Sequence, residues 1–305
     1  MLVFLIYGSG IIYIQAQYPG YGYKYRPLLG GIQIDRVRVE QNGCAYYKGT
    51  ASLAFPVKFI EYGFERLGFI TAGHAIEVGG GGRDNVYQPT WASNNYIGIG
   101  IRTSFPYNGG NSDLDAALIK LENTDYIAFI YENGNLYFGY DGKDNNNKVG
   151  ITDYVTPLKN MERQTIVYKS GRTTGLTYGR IEKIDLTWYL ANGGQIYPTI
   201  LITKCPGGQC YYSGNISAGG DSGGVWYIRH VIHIRQLPEN YLTLLNIKSL
   251  VFTNYIVREY GAKVIGIHNA GDGTNAIASW AVKVKEKWPD ISFVTCGPDY
   301  SPSCR

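Results

Sequence analysis

From Ile32 to Asn269 the chain is cut repeatedly into short apolar runs, and each run ends in a cluster of turn-forming residues. "IQIDRVRVE", "RLGFITAG", "YIGIGIR", "DAALIKL", "QTIVYKS", "YPTILITK" and "KVIGIHN" are separated by loops such as "GGGGRDN", "WASNN" and "DGKDNNNK". Several runs alternate apolar and polar residues, the period of a strand with one buried face, and all are too short for an ordinary helix. Tyrosine, 28 copies against 10 phenylalanines, joins many Ile, Val and Thr residues in favouring a pleated surface. An all-β barrel or sandwich is expected. Only Asn275–Trp288, "NAIASWAVKVKEKW", carries helical spacing, with Ile277, Trp280, Ala281 and Val284 on one face and Pro289 ending it.

The 305 residues suffice for two cores of about 100–150 residues each, or for one large one. "DGKDNNNK" lies between two strand-rich halves and marks the expected boundary. Residues 1–29 then read as a signal peptide and linker, 30–145 as the first β unit, 146–290 as the second with its helix, and 291–305 as a C-terminal tail. The net charge of +4 is spread along the chain with no dense Lys/Arg run, so nucleic acid is not an expected partner. No CxxC or HxxxH spacing occurs, and neither a metal nor a cofactor is expected.

"MLVFLIYGSGIIYIQAQ" is apolar as far as Ile14 and carries no charge before Lys24. It is too short for a spanning helix and is read as a secretory signal cut after Ala16, with an uncleaved membrane anchor or a buried strand as alternatives. Secretion agrees with the cysteines. Cys205 and Cys210 flank "PGGQ", Cys296 and Cys304 flank "GPDYSPS", and each pair could close a small loop. Cys44 is left over and reads as a small buried hydrophobe.

"SAGGDSGG", residues 217–224, sets Ser222 among glycines, either as a turn or as an exposed nucleophile in need of a base and an orienting acid. His74 in "GFITAGHAI" stands where an apolar strand gives way to a Gly-His pair. Asp113 and Asp115 in "NSDLDAALIKL" precede a strand that reads as buried, and a carboxylate there could fix a histidine tautomer. Each fragment alone is a weak signal.

Together, and in this order, these motifs resemble the chymotrypsin-like serine endopeptidases. "KSGRTTGLTYGRI", "LLGGIQI" and "GCAYYKGTASLAFPV" extend the likeness to the streptogrisin and alpha-lytic branch, over roughly Leu28 to Trp288. The resemblance implies two six-stranded antiparallel β-barrels packed against each other, a C-terminal helix, and an active site between the barrels. It assigns Ser222 as nucleophile, His74 as general base and then acid, and Asp115, rather than Asp113, as orienting acid, because Asp115 directly precedes the "AALIKL" strand. It places the oxyanion hole at the N–H groups of Gly220 and Ser222. The implied partner is a protein or peptide substrate, the implied state a secreted monomer.

The same resemblance implies that Asp221 is held by a buried cation, either a freed N-terminal amine or a side chain, with Lys169 and Arg172 as candidates and a side chain expected. It puts the substrate side chain between residues 216–217 and the strand of "VIGIHNAG", which brings in Ile216, Ser217, His268, Asn269 and Gly271. Ile216 stands where a trypsin-like enzyme has an acid, which disfavours cleavage after Arg or Lys. His268 is similar to the histidine of glutamyl endopeptidases, so cleavage after Glu or Gln is expected, with a large apolar residue as the alternative and a satisfied strand histidine as the bland account. Two departures stand out. Ala75 replaces a cysteine that many relatives carry after the histidine, with Cys44 at what reads as its partner position, and "RQLPENYLTLLNIKSLVFTNYIVREYG" is an insertion.

Overall fold

The computed structural model describes residues 3–7, 10–14, 22–40, 43–79, 82–122, 124–132, 148–204, 214–236 and 256–296. A hairpin of β1 (Val3–Tyr7) and β2 (Gly10–Ile14) forms a small sheet by itself. The chain continues through β3 (Leu28–Gly30), β4 (Gln33–Glu40), β5 (Ala45–Ser52), β6 (Phe55–Glu61) and β7 (Phe64–Thr71). After the turn that carries His74 come β8 (Val78–Gly79), β9 (Gly82–Tyr87), β10 (Tyr96–Thr103), β11 (Asn111–Ser112), β12 (Ala117–Leu121) and β13 (Tyr126–Tyr131). The later half contains β14 (Lys148–Tyr154), β15 (Ile166–Gly171), β16 (Gly175–Tyr189), β17 (Gln195–Thr203), β18 (Val225–Gln236), β19 (Ile256–Gly271) and β20 (Asn275–Trp280). Helix α1 (Lys283–Lys287) and β21 (Ser292–Phe293) follow.

One sheet runs in the order β21-β6-β7-β12-β10-β9-β4-β5, with β8 on β9. In the other, β17, β16, β15, β18, β19 and β20 pair antiparallel in turn, and β20 pairs back to β17, so these strands close a ring. Closure removes the open edges that a sheet of this length would otherwise present. The sheets also trade strands. β3 joins the later sheet beside β13, and β21 joins the earlier one beside β6.

Burial follows the apolar runs read in the sequence, and several strands are buried on both faces. Phe55, Phe69, Leu118 and Ile119 from the first sheet pack in one core with Leu28, Ile130, Val225 and Val264 from the second. A smaller core, with Val167, Ile181, Ile200, Ile202, Trp226 and Ile265, fills the ring. The insertion read at residues 235–261 lengthens the β18–β19 hairpin, whose pairing extends to Gln236 and Ile256; the residues beyond lie outside those described.

Two expectations are corrected. The helical spacing over Asn275–Trp288 gives a helix only at Lys283–Lys287, because Asn275–Trp280 is strand β20. Buried Ala276 and Ala278 are small enough for that segment to lie between two longer strands, and pairing on both edges outweighs its local period. Cys44 is exposed, not buried. It sits in the β4–β5 connection, where its carbonyl accepts from the Glu40 N–H. Cys205, Cys210 and Cys304 lie outside the described residues, as does the "DGKDNNN" part of the expected boundary.

Candidate active site

Three chain segments bring polar groups to the seam between the sheets. β7 ends in a single 3₁₀ turn, Gly73–Ala75, that presents His74. Asp115 stands just before β12, and Ser222 in the glycine-rich turn just before β18. The His74 ring bridges the other two: Nδ1 lies 2.8 Å from Asp115 Oδ2, and Nε2 lies 2.9 Å from Ser222 Oγ. A carboxylate only accepts, so Nδ1 carries the ring hydrogen and Nε2 is left to accept from the serine hydroxyl.

Asp115 is fully buried, and each of its polar groups is engaged. Oδ1 accepts from the His74 backbone N–H at 2.8 Å, its own N–H donates to Ser279 Oγ at 3.0 Å, and its carbonyl accepts from Asn269 Nδ2 at 3.0 Å. Asp113 lies away from the ring, at the surface, paired with Lys287 at 3.2 Å.

The Ser222 turn is stitched to both sheets. Ser52 N–H donates to Ser222 O at 2.8 Å, Ser52 Oγ–H to Gly220 O at 3.0 Å, and Gly223 N–H to His268 O at 2.8 Å. A side chain at Gly223 would overlap Thr71 Oγ1 and Ser52 O, at 2.1 and 2.2 Å from an added Cβ, and its φ of +85° suits glycine. Among the described residues, the N–H groups of Gly220 and Ser222 meet no protein acceptor. They are free to serve an oxygen from outside.

Asp221, between them, points inward to Lys169 on β15, Nζ to Oδ2 2.9 Å, with both side chains fully buried. It also accepts from Thr174 Oγ1 at 2.6 Å and from the N–H groups of Thr173, Thr174 and Ala218. Burial alone would raise the Asp221 carboxyl, but the Lys169 ammonium and these hydrogen bonds hold it below its ordinary value. Arg172 turns instead to Gln33, Nε to Oε1 3.0 Å.

His268 is buried on β19. Trp226 Nε1–H donates to its Nδ1 at 3.2 Å, and its Nε2 lies 2.9 Å from Ser217 Oγ. Burial, reinforced by the nearby Lys169 charge, pushes this imidazole down to about 3. It is neutral at ordinary pH, with its hydrogen on Nε2 and directed to Ser217, whose own hydroxyl hydrogen stays available. Ile216 is fully buried in the core of the ring, and Gly271 is exposed at the end of β19 beside Ser217. Asn269, read as a substrate contact, spends its amide on Asp115. Ser279 and Trp226 carry no catalytic motif in sequence and reach the site through strand pairing; Ser52 and Thr174 lie within "GCAYYKGTASLAFPV" and "KSGRTTGLTYGRI", but neither motif announces their contacts.

No protein-family model and no curated protein matches the chain. Solved structures do. A protease of Nocardiopsis (NAPase) superposes with a TM-score of 0.53 at 18% identity, covering 88% of this chain and 98% of the other. Protease A of Thermobifida fusca gives the same TM-score, identity and coverage. At that identity the likeness establishes the architecture: the chain has the two-barrel, chymotrypsin-like fold.

Proposed function

We propose that the chain is a serine endopeptidase working through an acyl-enzyme. The observation that carries this is the unbroken hydrogen-bond line from Ser222 Oγ through both ring nitrogens of His74 to buried Asp115. Ser222 Oγ attacks the peptide carbonyl carbon as its proton passes to His74 Nε2, and Asp115 keeps the ring in the required tautomer. The developing oxyanion faces the N–H groups of Gly220 and Ser222, each such donor being worth about 10²–10³ in rate. Nε2 then returns the proton to the leaving nitrogen as the C–N bond breaks. Water repeats the sequence and frees the new carboxyl end.

A fluorophosphonate probe should label Ser222, and Ser222→Ala should lose about 10⁶ in turnover with its fold intact. Unlabelled protein with an intact fold would instead mark a binding module that has lost catalysis, and near-normal turnover in the alanine variant would remove the serine from the chemistry.

The preferred substrate side chain is Gln or Glu, contacted by Ser217 with His268 behind it. Because His268 is neutral, the pocket offers a hydroxyl donor and no charge, which suits a Gln amide oxygen better than a carboxylate, whose desolvation would go uncompensated. A peptide-library profile dominated by Phe, Tyr or Leu, and unchanged in His268→Ala, would return His268 to a purely structural role. Export belongs to the same proposal. It rests on the apolar N-terminal stretch; no helix among the described residues is long and apolar enough to cross a membrane.

A further inference from the structure

The His74 turn is one 3₁₀ turn with no side-chain cap, yet it must hold an imidazole between two partners to within a few tenths of an ångström. Its carbonyls are taken up by side chains from outside. Tyr107 OH lies 2.9 Å from Gly73 O and 3.0 Å from Ile76 O, and Thr103 Oγ1–H also donates to Gly73 O. Arg36 Nη1 donates to Ala75 O. The same guanidinium donates from Nε to Gly49 O and from Nη2 to Lys48 O, so it joins the turn to the bulge where Arg36 and Val37 break the β4–β5 register. Burial lowers this guanidinium from its ordinary value, and the Asp84 and Asp35 carboxylates oppose that in part.

Tyr107 has a second attachment. It lies in the loop that leads to Asp115, its ring meets Phe105 at 4.9 Å, and Phe105 in turn meets the His74 ring edge-on at 5.8 Å. Asn192, from the β16–β17 hairpin of the other sheet, donates to the carbonyls of Pro106 and Tyr107 at 2.9 and 3.1 Å. The phenol thus ties the histidine turn to the aspartate loop, and through it to the sheet that carries Ser222. Burial and the nearby Asp115 and Asp84 carboxylates raise the phenol well above its ordinary value, so it remains a donor wherever the protein is folded.

We propose that Tyr107 and Arg36 are positioning residues that clamp the carbonyls of the His74 turn and so hold the imidazole between Asp115 and Ser222. The proposal rests on the endopeptidase reading above. Neither side chain touches the reacting atoms; both act through the backbone of residues 73–76.

Tyr107→Phe deletes one oxygen and keeps the ring packing, so it should fold like the parent. Its kcat per fluorophosphonate-titratable serine should fall about fivefold, the worth of one hydrogen bond, with KM within about twofold. Arg36→Met should lower the same quantity by up to about 10²-fold, the scale of a 1 Å misplacement. Methylguanidinium at sub-denaturing concentration should restore part of the turnover of Arg36→Ala. The double variant Tyr107→Phe/Arg36→Met should lose less than the product of the two, because one turn is released in both. The downfield proton signal of His74 Nδ1–H should broaden in each. Parent-like kcat per titrated serine in both single variants, or losses that merely track the folded fraction, would overturn the clamp. A parent that takes up no label overturns the endopeptidase reading and the clamp with it.

Discussion

Asp115 and Asp113 show what one position can decide. They share a loop and a charge, but Asp115 is fully buried with every polar group engaged, whereas Asp113 is a surface partner of Lys287. Asp115→Asn should therefore cost about 10⁴ in kcat by favouring the wrong imidazole tautomer. Asp113→Asn should leave kcat unchanged and move stability by at most about 1 kcal/mol, as exposed ion pairs do. Steady-state kinetics and urea melts of the two variants check the contrast; equal kinetic losses would refute it. Motif order was enough to pick out the residues that the structure brings together around His74. It could not show how His268 is held, because the Trp226 indole that fixes its tautomer comes from the neighbouring strand and leaves no local signature.

Strands were legible as short apolar runs bounded by turn residues, as in "ALIKL", whose Ala117, Leu118, Ile119 and Leu121 are all buried. Legibility failed at β20, where Ile277 and Trp280 mimic a helical face with Ala281 and Val284 and only the two flanking strands decide the outcome. β15 settles a choice that its own pattern leaves open. Lys169 and Arg172 were both candidates for the cation beside Asp221, and it is the Lys169 ammonium that is fully buried against Asp221, under the turn that precedes β18. Lys169→Met should cost about 3–5 kcal/mol in chemical denaturation, because it strands a buried carboxylate. Adding Asp221→Asn should recover much of that stability. It should not restore activity, since the bonds Asp221 accepts from Thr174 and from three backbone N–H groups would be disturbed. A single variant as stable as the parent would show that the pair contributes nothing to the fold.

For the molecule as a whole, two buried titratable groups, His268 and Asp221, set the acid limit. The unfolded chain protonates His268 below its ordinary value of about 6.5, while the folded chain leaves it neutral down to about 3, so stability should fall as pH drops through that window. Asp221, held low in the fold, adds a further loss as pH falls below about 3.8. Urea melts across pH should show both limbs, and His268→Gln should flatten the upper one; an unchanged upper limb would mean the loss has another source. The exchange of β3 and β21 between the sheets reaches further than stability. The earlier sheet lacks its outermost strand until residues 292–293 are in place, and Asp290, which grips Arg102 through two hydrogen bonds, docks with it. Neither half is therefore complete without a segment from the other end of the chain, so folding should run as one cooperative step in which the segments carrying His74, Asp115 and Ser222 are locked together, not as two independent barrels.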